Sequence, residues 1–97
     1  MPKAYWVSIY HKINDEAKVA AYSKLAGPAL SAAGARFLAR GMPAEVYEHG
    51  INQRTVVIEF ESLEAAKAAH DSPAYTEALE ALGDGCEREI RIMEGLE

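Results

Sequence analysis

Arginine, tyrosine and glutamate recur within the strand-like stretches of this 97-residue chain. Tyr10 lies in AYWVSIYHK (4–12), Arg36 and Arg40 in ARFLAR (35–40), and Glu59 in RTVVIEF (54–60). A guanidinium is a planar fork of donors that holds a carboxylate in two charge-assisted hydrogen bonds. A glutamate or a phenol beside it can handle a proton. Together these types suit the binding, or cofactor-free conversion, of a small anionic or phenol-like metabolite. Arg40 is the expected anion contact, because Gly41-Met42-Pro43 break its strand directly afterwards and leave the guanidinium at a mouth. Arg36 is expected deeper, as a structural partner of Glu59. No residue is assigned a catalytic role.

Other chemistries lack their spacing. His11, His49 and His70 stand far apart, with no His-x-His or Glu-x-x-His pattern, so no metal site is expected. Cys86 follows Gly85 at a strand start and reads as a packing residue; alone, it forms no internal disulfide. No phosphate loop, dinucleotide fingerprint or Gly-x-Ser-x-Gly elbow is present, and Gly83-Asp84-Gly85 is a turn. No cofactor is expected.

The elements that must position these side chains follow from periodicity. Residues 4–12 alternate as a strand. Asn14 or Asp15 caps a helix over about 16–33, which Gly27-Pro28 is expected to kink. Residues 35–40 are expected to form a second strand, continued over 45–48 beyond the break, with 49–53 a hairpin loop. Residues 54–60 form the clearest strand. Ser62 caps a helix through about His70, Ser72-Pro73 restarts it, and residues 87–94 close the chain as a strand. The order strand-helix-strand, twice over, predicts an α+β, ferredoxin-like βαββαβ domain over 1–97: four antiparallel strands with the helices on one face.

Such a sheet leaves one face uncovered. With Val56, Ile58 and Phe60 toward the helices, alternation is read as placing Val7, Ile9, Phe37, Ile90 and Ile92 with them. The open face is then expected to carry Trp6, Ser8, Tyr10, Arg36, Leu38, Arg40, Val57, Glu59, Arg91 and Met93. A mixed apolar and charged face of this kind marks an association surface, so the expected partner is a second copy of the chain. The ligand pocket is expected on that same face.

The bulk numbers exclude several classes. The formal charge is −5, from 10 Lys and Arg against 15 Asp and Glu. An acidic chain without a basic block lacks the footprint of a nucleic-acid binder. No apolar run approaches the ~20 residues needed to cross a bilayer, and the N-terminus shows no leader pattern. A cytoplasmic, membrane-free protein is expected.

Several segments, in order, resemble one bacterial family: Gly34-Ala35-Arg36-Phe37-Leu38-Ala39-Arg40-Gly41, Arg54 to Phe60, Ser62-Leu63-Glu64-Ala65-Ala66, and Asp71-Ser72-Pro73-Ala74-Tyr75. With the opening Tyr5-Trp6-Val7 and the closing Ile92-Met93-Glu94-Gly95, they are similar to domain of unknown function 1330. The resemblance implies a subunit of the dimeric α/β-barrel group and implies no reaction. Arg36, Arg40, Glu59, Ser72 and Tyr75 match the family's residue types, which adds Ser72 and Tyr75 to the ligand-binding candidates Arg40, Glu59, Tyr10 and Arg36. Gly34-Ala35 and Gly41-Met42 stand where the family often has paired glycines, and His70 lies near positions where it commonly has aromatics. Two alternatives accompany the ligand-binding reading. One is an interaction dimer whose open-face charges serve only the interface; the other is a haem-handling domain with His70 or His11 on the iron.

Overall fold

A computed structural model describes residues 2–96. Strand β1 (Ala4–Ile13) leads into helix α1 (Glu16–Ala32), β2 (Arg36–Gly41) and β3 (Thr55–Phe60). Helices α2 (Leu63–His70) and α3 (Pro73–Leu82) then precede β4 (Cys86–Glu94). All strand pairs are antiparallel, in the order β2-β3-β1-β4. This is the ferredoxin-like arrangement, with the second helical segment split in two.

Local chemistry sets the boundaries. The Asp15 carboxylate accepts from the Ala17 and Lys18 N–H groups and starts α1. The Ser62 hydroxyl accepts from Ala65 N–H and starts α2. Ser72 does two things at the α2–α3 break: its hydroxyl donates to the Ala69 carbonyl and accepts from Tyr75 N–H. Pro73 follows at the first helical position, where no N–H is missed. Gly34, at φ 97°, turns the chain out of α1. Pro28 lies inside α1, which continues through it as one helix.

Two expectations are corrected. Residues 45–48 form no strand; β2 ends at Gly41, and the chain reaches β3 through an excursion over 42–54. Pro43 cannot donate to a ladder, and a turn closes at Gly50 N–H to the Tyr47 carbonyl, with Glu48 at φ 56°. The second correction concerns β1. Its register pairs Trp6 with Ile58 and Ser8 with Val56, so Ala4, Trp6, Ser8 and Tyr10 are the buried, helix-facing set. Val7 and Ile9 take the open face. Both faces of β1 are apolar, so alternation alone could not say which is covered; pairing with β3 decides it.

The core joins Trp6, Tyr10, Ile58 and Phe60 of the sheet to Leu30 of α1 and Tyr75 of α3. Trp6 meets Tyr75 edge-on at 5.2 Å between ring centroids and stacks against Phe60 at 6.0 Å. Its indole N–H donates to the Ser8 hydroxyl at 2.8 Å, which satisfies both buried groups.

Candidate functional site

Two adjoining voids lie beside α1. The inner one, about 30 Å³, is walled by Tyr10, Tyr22, Leu30, Phe37, Val56 and Ile58, with Arg40, Arg54 and Arg88 reaching its surface. The outer cleft, about 380 Å³, is bounded by Ile13, Val19, Ala20 and Met42, with Glu16 and Gln53 among its polar groups. Ser23 and Arg54 line both. The voids therefore run end to end along α1, the outer beside its first turns and the inner beside its middle.

The strands deliver the three arginines by register. Arg88 stands opposite Tyr10, two residues before Ile90 and four before Ile92, and so shares their helix-facing side. Arg54 immediately precedes β3, in phase with Val56, Ile58 and Phe60. Arg40 arrives by an irregularity: a bulge between Phe37 and Ala39 shifts the register, and Arg40 pairs with Val56. The expectation that Arg40 and Tyr10 occupy the open face is thereby corrected, and with it the expected position of the pocket. The bulge reverses simple alternation after Phe37.

Arg88 is enclosed by phenols. It donates to Tyr10 Oη at 3.2 Å, to Tyr22 Oη at 3.1 Å and to Tyr75 Oη at 3.3 Å. Tyr22 and Tyr75 share a further hydrogen bond of 2.7 Å. The guanidinium also stands 4.5 Å from the Tyr22 ring centroid and 5.4 Å from that of Tyr10. Burial pushes the Tyr10 and Tyr75 hydroxyls above the usual phenol range. Burial also pulls on the Arg88 guanidinium, but the phenols around it, Tyr22 foremost, more than offset that and keep it charged. Because Tyr10 and Tyr75 hold their protons at neutral pH, they offer Arg88 dipoles and ring faces without a counter-charge.

Arg54 and Arg40 are equally short of anions. The Arg54 guanidinium lies 5.8 Å from the Tyr10 ring centroid, and its buried Nε has no hydrogen-bond acceptor. Arg40 lies over the Phe37 ring at 5.1 Å. Among the described residues, no Asp or Glu stands within ion-pair distance of Arg40, Arg54 or Arg88; the arginines that pair are Arg36 and Arg91. No Asp, Glu or His lines the inner void.

The other sequence candidates lie elsewhere. Glu59 and Arg36 pair across the open face at 3.8 Å, joined by Lys3 at 3.6 Å and by the Tyr5 hydroxyl, which donates at 3.4 Å. Ser72 serves as the α3 cap, and Tyr75 reaches the site through its hydroxyl. His11 pairs with Glu89, and His70 packs on Trp6 and Tyr75 beside Asp71; neither lines the voids along α1. Burial pushes the Cys86 thiol up, which suits packing. Sequence reasoning passed over Arg54, Arg88 and Tyr22. The signal was nevertheless present: each arginine keeps strict alternation with apolar residues that pack on the core, where a solvated charge does not belong.

The fold recurs in solved structures. The RPA0582 protein of unknown function from Rhodopseudomonas palustris superposes with a TM-score of 0.77 at 14% identity, over 99% of this chain and 84% of that one. SnoaB, a cofactor-independent oxygenase from Streptomyces nogalater, gives 0.68 at 12% identity, over 100% and 96%. A dimeric ferredoxin-like protein of unknown function from Thermobifida fusca gives 0.66 at 20% identity, over 97% and 92%. At these identities the likeness is one of fold. No curated protein matches the chain. The description that does fit is a family one, matched over residues 3–96: the chain belongs to the domain of unknown function family DUF1330.

Proposed function

We propose that the chain binds a small organic anion with its charged group at the inner void, between Arg40, Arg54 and Arg88, as a homodimer assembled through its open sheet face. The observation that carries this reading is the convergence of three arginines without carboxylate partners on one cavity of a protein whose net charge is −5. Acids are plentiful in the chain, yet none is spent here. The Arg54 and Arg88 guanidinium groups are half-buried, where an uncompensated charge is costly, and a carboxylate or phenolate ligand supplies the opposite charge.

Binding is favoured over conversion. Similarity to a cofactor-independent oxygenase raises the thought of chemistry on the ligand. Removing a proton from a bound molecule needs a base within reach. The acid lining either void is Glu16, in the outer cleft, and burial keeps Tyr10 and Tyr75 protonated.

Thermal melts followed by circular dichroism, across a panel of organic anions and their neutral analogues, test the reading. Anions raise the melting temperature and neutral analogues do not. The rise disappears in Arg54→Met, which keeps an unbranched apolar stem and removes the guanidinium. An equal rise in that variant places the anion elsewhere.

A further inference from the structure

Resting on the anion reading of the inner void, the geometry points to a specific ligand class: we infer that the pocket takes an aliphatic monocarboxylate, head inward at Arg54 and chain outward along α1. The two voids differ in the way such a molecule differs between its ends. The inner void, about 30 Å³, is far smaller than the outer cleft at about 380 Å³; the body of a ligand belongs in the cleft and its head group in the void. The charged groups of the void are all cationic, and Arg54, whose Nε has no hydrogen-bond acceptor, lines both the inner void and the outer cleft.

The outer cleft, about 380 Å³, is within the size range of small-molecule sites. Ile13, Val19, Ala20 and Met42 give it aliphatic walls, and no aromatic ring lines it. A flat aromatic body would find no ring to stack on there, whereas a flexible chain finds methyl and thioether surface. A second anionic group at the far end would meet Glu16 in place of a cation. One carboxylate and an apolar chain therefore satisfy both voids, and a dicarboxylate does not.

Calorimetric titration of the intact protein with acetate, butanoate, octanoate and 1-octanol tests this. Octanoate is expected at least tenfold tighter than acetate, with butanoate between them and octanol tenfold or more weaker than octanoate. Ala20→Glu, at an exposed position lining the outer cleft, brings octanoate binding down to the acetate level or below. Arg54→Met abolishes carboxylate binding; Arg40→Met, at an exposed position, weakens it severalfold and guards against a fold defect in the first variant. If octanoate binds no tighter than acetate while both depend on Arg54, the chain inference is overturned and the anion reading stands. If no carboxylate binds in an Arg54-dependent way, both fall.

Discussion

Removing one partner of a buried ion pair strands the other charge and costs about 3–5 kcal/mol. Arg88 has no ion partner among the described residues, so the balance differs. Arg88→Met gives up hydrogen bonds to Tyr10, Tyr22 and Tyr75 but also removes a desolvated cation, and the Tyr22–Tyr75 bond survives. Stability by urea titration should then change by no more than about 1 kcal/mol, while anion binding is lost. A loss of 3 kcal/mol or more would make Arg88 a structural residue. The phenols carry a second expectation. A hydroxyl whose folded pKa is raised releases its proton from the unfolded chain first, so its contribution is complete below the unfolded value near 10 and drains away as pH rises above it. Stability should hold from pH 7 to 9 and fall above about pH 10, at up to about 1.4 kcal/mol per pH unit per phenol. Tyr75→Phe should flatten that alkaline slope; an unchanged slope would show that Tyr75 ionises normally. Of the residues involved, Arg54 and Arg88 were legible as arginines in phase with Val56–Phe60 and Ile90–Ile92. Their shared destination was not, because convergence on one cavity is a property of sheet register and not of any one strand.

Within α1, Gly27 lines the inner void, and a Cβ added there would meet nothing within 4 Å. A glycine in a helix interior costs roughly 0.5–1 kcal/mol relative to alanine. Gly27→Ala should therefore raise stability by about that amount and, by narrowing the inner void, weaken anion binding. Higher stability with unchanged affinity would show that ligands do not reach Gly27. The neighbouring Pro28, expected from sequence to kink α1, lies within one continuous helix over Glu16–Ala32. Element order, caps and the α2–α3 break were all readable, since each rests on short-range chemistry. The face of β1 and the bulge in β2 were not. Tyr5, Val7 and Ile9 are as strand-like as Trp6, Ser8 and Tyr10, and only the pairing of Trp6 with Ile58 separates them. A bulge leaves no mark in the run Phe37-Leu38-Ala39, although it carries Arg40 to the other side of the sheet.

As a whole the molecule is a slab of 37 × 34 × 16 Å, one layer of helices on one sheet. The bare side shows Tyr5, Val7, Ile9 and Val57, with Met93 59% exposed, beside the charged group of Lys3, Arg36 and Glu59. Apolar area of this kind is usually covered in solution, and light scattering should give about twice 10.6 kDa. Val7→Glu, mid-strand on that side, should yield a folded monomer; a monomeric parent protein would remove the basis for the dimer. Glu59→Ala should loosen the dimer, whereas Glu61→Ala, on an exposed residue beyond the strand, should not.

Trp6 is the chain's sole tryptophan, and it lies edge-on to the tyrosine whose hydroxyl joins the arginine–phenol cluster. The fold thus contains its own optical reporter. Excited at the red edge of the near-ultraviolet, only the indole emits, from a dry setting that keeps its emission blue of a solvated one. If the proposed anion draws on Arg88, whose guanidinium bonds the Tyr75 hydroxyl, the ring that the indole faces should shift, and titration of the ligand should then change the protein's native emission. No label or substitution is needed to follow it.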